Sequence, residues 1–489
     1  MSESHVRISG DRGTALNESK FKVIQGSVCA PQGFRAGAVF CGIKTLGTGK
    51  GSDKGAKPDL AIIVSDRPAA VAGTFTTNRV CAAPVKWSAR IAAKSSARAI
   101  VVNSGNANAC TGRRGMRDAE RMARSVAAAL CDTGNPACKQ MRTQTGLSAS
   151  RSNRIRPNEI FVCSTGRIGV PMPMQNVERG IRECATLLSR SAQKARQTAE
   201  AIMTSDTRRK EIAVEIRLKD KAVRIGGICK GAGMIQPRMD VATVLRRRVS
   251  APRHSGAATG HATMLGFVTC DAAISPRLLK SALAEAVEQS FNRISVDGDM
   301  STNDSVIALA NGLSGNVRIT NRDRSFREFQ AALTFVCLEL AKMIVRDGEG
   351  VSRFVTVHVR NARSTAEAEV VARSVINSSL VRTSWCGGDP NWGRVLCAIG
   401  YSGISVDEKR ISIGYGASKN GSIKFAFRRG APTDVAFRAL TKITGAPEFD
   451  VHIDLGRGAS RFTMYASDLT EEYVTFNKGD IRDPASLGG

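Results

Sequence analysis

Short continuous apolar runs along the chain alternate with apolar stripes of helical period. Ala99-Ile100-Val101-Val102 and Ile160-Phe161-Val162-Cys163 are four-residue runs that predict buried strands. Met122, Val126 and Leu130 form one stripe, predicting a helix that opens at Asp118. Ser275-Pro276 supplies an N-cap and a first-turn proline for a helix reaching Phe291. Phe329, Leu333, Val336, Leu340 and Ile344 mark the core face of a long helix that stops at Asp347-Gly348-Glu349-Gly350. This alternation predicts a mixed α/β architecture.

Polar stretches punctuate the pattern. Asn103-Ser104-Gly105-Asn106-Ala107-Asn108 is too polar for a strand and too rich in Gly and Asn for a helix, so a structured loop is expected. Ser164-Thr165-Gly166 reads as the turn ending the second strand. Residues 139–156 hold five basic residues and no acidic one, and residues 240–261 contain Arg246-Arg247-Arg248 among Ser, Pro and Gly. Both read as surface insertions.

Composition narrows the class. With 489 residues, 42% apolar and 23% charged, the chain has a globular balance. No apolar run is long enough to cross a bilayer, and Met1 to Lys20 lacks the apolar core of a secretory signal. An intracellular protein is expected, with thirteen cysteines as reduced thiols, since they include no C-x-x-C pair. Five histidines, none at ligand spacing to another, give no reason to expect a metal.

Charge is unevenly spread. The formal balance is +28, of which residues 1–262 carry +26 and residues 263–489 only +2. The two basic stretches account for +5 and +3 of this. Such a charge motivates one reading from another class, a basic nucleic-acid-binding protein. The 5% aromatic content leaves few stacking platforms and no binding module is recognisable, so nucleic acid is disfavoured as a partner.

Several segments could carry chemistry. Gly47-Thr48-Gly49-Lys50-Gly51 is not a P-loop, because the glycine spacing fails and Gly51 follows the lysine; a lysine-rich turn is expected. Glycines on both sides of Lys230, in Gly226 to Gly233, let backbone approach a ligand while an ammonium points at it, though such a segment is also an ordinary turn. Ser164-Thr165-Gly166 after a strand could converge a hydroxyl and N–H groups on an oxyanion. No G-x-S-x-G is present, and a histidine-dependent triad has few histidines to draw on. An acyl-transfer enzyme could instead use an N-terminal threonine, whose α-amine has a pKa of about 7.7–8.0 and takes the hydroxyl proton.

The motifs together resemble the glutamate N-acetyltransferase (ornithine acetyltransferase) family of arginine biosynthesis. The similarity runs from about Gly33 to Asn477. It is carried by Gly33-Phe34-Arg35-Ala36-Gly37, Asn103 to Gly112, Ser164-Thr165-Gly166, Ala201 to Thr207 and Lys230-Gly231-Ala232-Gly233-Met234-Ile235. Ala262-Thr263-Met264-Leu265, Val296 to Asp304, Asp347-Gly348-Glu349-Gly350 and Asp389-Pro390-Asn391-Trp392-Gly393-Arg394 continue it.

The resemblance implies a layered α/β sandwich of the ornithine acetyltransferase type, with self-cleavage at Ala262–Thr263. The products would be an alpha chain, 1–262, and a beta chain, 263–489, paired as two alpha and two beta chains. Thr263 is implied as the nucleophile, favoured over Thr243 because Met264 to Ala272 continues the family pattern. Thr165 and Gly166 are implied as the oxyanion hole, and Thr204, Lys230, Thr263, Glu349 and Asn477 as substrate contacts. Arg167, after the oxyanion glycine, is expected to point to solvent. The implied reaction is ping-pong: Thr263 takes the acetyl group of N2-acetylornithine and passes it to glutamate. No cofactor is implied, and acetyl-CoA as a further donor is left open. A related amidohydrolase or aminopeptidase would use water as the second acceptor. Cytoplasm is the expected compartment, with a mitochondrial matrix address left open.

Overall fold

Both apolar runs are the centres of longer strands in one large sheet. The structure, a computed structural model, describes residues 21–44, 57–132, 154–241, 264–418 and 422–478. Among these, ten strands form the first sheet: β1 (Lys22–Val23), β2 (Phe34–Val39), β3 (Leu60–Thr76), β4 (Ser96–Asn106), β5 (Ile160–Arg167), β6 (Lys210–Leu218), β7 (Lys221–Lys230), β8 (Met239–Val241), β9 (Leu265–Cys270) and β11 (Ser305–Ala310). Its order is β1-β6-β7-β9-β11-β3-β4-β5, with β2 and β8 also pairing β3. Seven strands form the second sheet: β10 (Ile294–Ser295), β12 (Phe354–Ala362), β13 (Ser412–Ala417), β14 (Lys424–Arg428), β15 (Ala431–Pro432), β16 (Glu448–Asp454) and β17 (Ser460–Ser467).

Helices cover these sheets. Before β6 come α1 (Ala83–Ala92), α2 (Gly112–Asp132), α3 (Met174–Thr186) and α4 (Ala192–Ala201). After β9 come α5 (Pro276–Glu288), α6 (Arg324–Arg346), α7 (Thr365–Asn377), α8 (Ser379–Cys386), α9 (Trp392–Gly400), α10 (Phe437–Thr444) and α11 (Glu471–Asn477). The Phe329-to-Ile344 stripe of α6 packs with Leu279 and Leu283 of α5 on Val268 and Val306. Met122, Val126 and Leu130 of α2 pack with Val177 and Ile181 of α3 against Val101 and Val162. A separate core joins α7 to α10 with the second sheet. Ser275 caps α5 as expected, accepting the Leu278 N–H, although the helix ends at Glu288 before a short 3-10 turn holding Phe291.

Three local expectations are corrected. The Asn103–Asn106 stretch is not a loop but the end of β4. Its polar side chains are buried because one local and two distant partners satisfy them: Asn103 Nδ2 donates to Asn106 O at 2.8 Å, its Oδ1 accepts Ser164 Oγ at 2.6 Å, and Asn106 Nδ2 reaches Val170 O at 3.1 Å. Ser164-Thr165-Gly166 likewise continues β5, in parallel register with Asn103-Ser104-Gly105. Helix α2 starts at Gly112 rather than Asp118, since Asn108 braces the first turn by accepting Thr111 Oγ1 at 2.7 Å and donating to Gly115 O at 2.9 Å.

The edges of the two basic stretches belong to the fold. Ile155 is buried and Arg156 precedes the turn into β5, while Asp240 and Val241 pair with β3 in β8. Residues 139–153 and 242–261, Thr243 among them, lie outside the described residues, as do Gly47 to Gly51, Ala262 and Thr263.

Candidate active site

Lys230 ends β7 with its side chain wholly buried. The strand can reach this position only because Gly226 and Gly227 lack side chains: a Cβ on Gly226 would lie 1.8 Å from Ser27 O. The glycine-rich segment is therefore largely strand, not turn. From its end, Lys230 Nζ donates to Thr204 Oγ1 at 2.7 Å and to Thr165 Oγ1 at 3.3 Å. Three of the expected site residues thus share one contact set. Thr165 sits on β5 beside Gly166, whose φ of +126° and close packing on Gly105, 2.4 Å from an added Cβ, admit glycine alone.

The lysine is held by a chain of buried charges that sequence reasoning left without a role. Asp206 accepts the N–H of Gly231 at 2.7 Å and of Thr204 at 2.9 Å, with Lys230 Nζ 3.9 Å away. Lys210 bridges Asp206 at 2.6 Å and Asp347 at 2.5 Å, and Asp347 in turn accepts the Thr207 hydroxyl and N–H. Burial works against the Asp206 carboxylate, but Lys210 and Lys230 outweigh it and hold its pKa below the usual range. For Lys230 burial wins: its pKa is lowered despite Asp206. Motif Ala201 to Thr207 contained Asp206, yet nothing local marked it as the lysine's counter-charge.

Glu349 lies on the turn after α6, where its N–H donates to Ala232 O at 2.9 Å. Gly233 leaves room for it, since a Cβ there would meet Glu349 Oε2 at 2.2 Å. Asn477 Nδ2 donates to the same Oε2 at 3.1 Å from the exposed end of α11. This helix docks on Gly350, where a Cβ would lie 2.4 Å from Tyr473 N. Burial lifts the Glu349 carboxyl to about 7. The structure joins Glu349 to Asn477 by a hydrogen bond and joins Lys230 to Thr165 and Thr204.

Asp304 is a further buried carboxyl that the residue pattern did not single out. Its Oδ1 accepts the N–H of Met264 at 2.9 Å and its Oδ2 that of Ser301 at 3.2 Å. Met264 opens onto β9, which lies between β7 and β11, with Leu265 registered opposite both Lys230 and Ser305. Burial lifts Asp304 to about 7. Arg167, expected in solvent, is half-buried and its Nε is out of contact with water.

The cluster combines a buried ammonium, two hydroxyls it polarises and two carboxyls poised near neutrality. Such a set suits stabilising an oxyanion and moving a proton. Among the described residues, no helix is long and apolar enough to cross a membrane.

Known proteins resemble this chain in sequence along nearly its whole length. The arginine biosynthesis bifunctional protein ArgJ of Symbiobacterium thermophilum is 40% identical over 454 residues, which are 93% of this chain and 98% of that one. The glutamate N-acetyltransferase of Methanocaldococcus jannaschii is 39% identical over 461 residues, again 93% of this chain and 98% of the relative. A solved structure of argJ from Bacillus halodurans is 38% identical, covering 43% of this chain and 97% of its own, with a TM-score of 0.41. The ArgJ family model matches residues 35–479, and the chain belongs to that family.

Proposed function

We propose that this chain is a glutamate N-acetyltransferase of arginine biosynthesis, moving an acetyl group from N2-acetylornithine to glutamate. The observation that carries the reading is the wholly buried Lys230, whose ammonium bonds the hydroxyls of Thr165 and Thr204. A cation fixed behind a hydroxyl strengthens that hydroxyl as a donor to a developing oxyanion in a low-dielectric site.

In this mechanism Thr263 becomes a chain terminus when the Ala262–Thr263 bond is cut. Its Oγ attacks the acetyl carbonyl while its α-amine accepts the hydroxyl proton. Negative charge on the carbonyl oxygen is met by the Thr165 hydroxyl and the Gly166 N–H. The tetrahedral intermediate collapses, the proton passes to the leaving nitrogen, and ornithine departs. The glutamate amine then attacks the acetyl-threonine ester, and N-acetylglutamate leaves with Thr263 restored. Glu349, with Asn477 bound to it, suits the ornithine ammonium, and the Lys230 and Thr204 pair suits a substrate carboxylate. The chemistry needs no cofactor beyond the substrates, and acetyl-CoA is a candidate second donor. Two alpha chains, 1–262, and two beta chains, 263–489, acting in the cytoplasm or a mitochondrial matrix, complete the proposal.

N-terminal sequencing of the smaller fragment tests it. The expected result is a fragment beginning at Thr263, with Thr263→Ala abolishing both cutting and acetyl transfer. A single full-length band with full activity overturns the mechanism. Release of free acetate in preference to N-acetylglutamate would instead make it an amidohydrolase.

A further inference from the structure

The second sheet brings together two histidines that lie 94 residues apart in the sequence. His358 on β12 and His452 on β16 are direct partners in parallel register, and Asp450 lies two residues before His452 on the same face. The two rings stack with centroids 4.9 Å apart and planes 11° from parallel. One ligand atom from each of His358, Asp450 and His452 lies within 4.8 Å of the other two.

Surrounding residues orient this trio. Thr463, opposite His358 on β17, places its Oγ1 3.2 Å from His358 Nδ1. The hydroxyl serves either tautomer of His358; in the one that protonates Nδ1, the Nε2 lone pair is free for a cation shared with Asp450 Oδ2, 3.6 Å away. Gly416 lies beside His452 on β13, and a Cβ there would come within 3.0 Å of His452 Nε2. Glycine at this position keeps the edge of the ring open. All three side chains are half-buried, so an ion can enter from solvent without unfolding the sheet.

The geometry points to a transition-metal site formed by His358, Asp450 and His452, taking a borderline dication of the Zn2+ class. Two imidazole nitrogens and one carboxylate oxygen are the donor set preferred by Zn2+, Co2+ and Ni2+, whereas Ca2+ and Mg2+ require oxygen donors throughout. Three protein ligands leave a fourth position for water, as in open zinc sites. Ligand atoms around such an ion stand about 3.3 Å apart, given bond lengths of roughly 2.0–2.1 Å. From the present spacing, within 4.8 Å, the ligand atoms would have to draw together by side-chain rotation on strands whose register stays as it is. The Thr463 contact to His358 is the outer hydrogen bond that fixes a ligating ring. The trio lies on the second sheet, apart from Lys230 and Asp304 on and beside the first. A bound ion would therefore tie β12 to β16 rather than enter acetyl transfer.

The test uses the full-length protein after chelator treatment and exchange into metal-free buffer. Zn2+ is titrated against a chromophoric competitor, and Co2+ is added separately to read its visible d–d absorption. The expected result is one ion bound per chain, with affinity at least ten-fold weaker in His452→Ala and in the near-isosteric Asp450→Asn. Zn2+ should also raise the melting temperature of the unmodified chain and not that of either variant. Asp450→Asn should retain acetyl transfer, showing that the fold survives. Absence of stoichiometric binding overturns the proposal. So does binding that is unchanged in both variants, which would place the ion on exposed thiols such as Cys110 or Cys397.

Discussion

Asp304 Oδ1 accepts the backbone N–H of Met264 at 2.9 Å. That N–H belongs to the peptide bond joining Met264 to Thr263, so a buried carboxyl is hydrogen-bonded to the peptide unit that carries the proposed nucleophile. The other oxygen is fixed by Ser301, in the same turn as Asp304 itself.

Asp304→Asn keeps the size of the side chain but presents an NH2 group to one of these two N–H donors. Self-cleavage and kcat should fall by about 10²-fold, the scale of a misplaced reacting group, while KM changes little. Steady-state kinetics with time courses of fragment formation check this. An equal change in KM and kcat would count against a positioning role.

Lys210 and Lys230 are both buried, yet their loss should differ in kind. Lys210→Met takes the ion-pair partner from Asp347 and leaves Asp206 only the more distant Lys230, and should cost about 3–5 kcal/mol, as when one partner of a buried pair is removed. Lys230→Met leaves Asp206 with Lys210 and should cost roughly 1–3 kcal/mol, while abolishing acetyl transfer. Denaturant unfolding together with activity separates the two.

The folded-state pKa of Glu349 is raised from 4.5 to about 7, so the folded chain holds a proton there that the unfolded chain has lost. Stability from this group is highest below its unfolded pKa. It falls as pH climbs from about 4.5 to about 7, and is level above that. The difference is on the order of 3 kcal/mol. Glu349→Gln should therefore raise the melting temperature at pH 8 and leave it nearly unchanged at pH 4.5. In the same variant, ornithine binding measured by calorimetry should lose its rise between pH 6 and pH 8.

Gly233→Ala puts a Cβ against the carboxylate of the buried Glu349, at 2.2 Å from Oε2, and not against backbone. Displacing that carboxylate should raise KM for N2-acetylornithine about ten-fold or more with a smaller change for glutamate. Gly166→Ala meets backbone instead, 2.4 Å from Gly105 C, at a φ of +126°. Its expected outcome is insoluble or uncleaved protein, read directly on a gel.

The chain by itself determined the buried strands, the long helix ending at Asp347 and the order of motifs that marks the family. Apolar periodicity reports local burial, and α6 fills Phe329 to Ile344 as its stripe requires. Polar segments gave no such report. Asn103 to Asn106 became strand because Ser164 and Val170, far along the chain, satisfy side chains that a local reading assigns to a loop. The same holds for the site: Thr165, Thr204, Lys230 and Glu349 stood in recognisable motifs, but Lys210 meets Asp347 across 137 residues only after the sheet closes. His358 and His452 became neighbours through strand register alone. Hydrogen bonds and ion pairs between distant residues leave no period in a sequence, so only the tertiary structure decided which charges face one another.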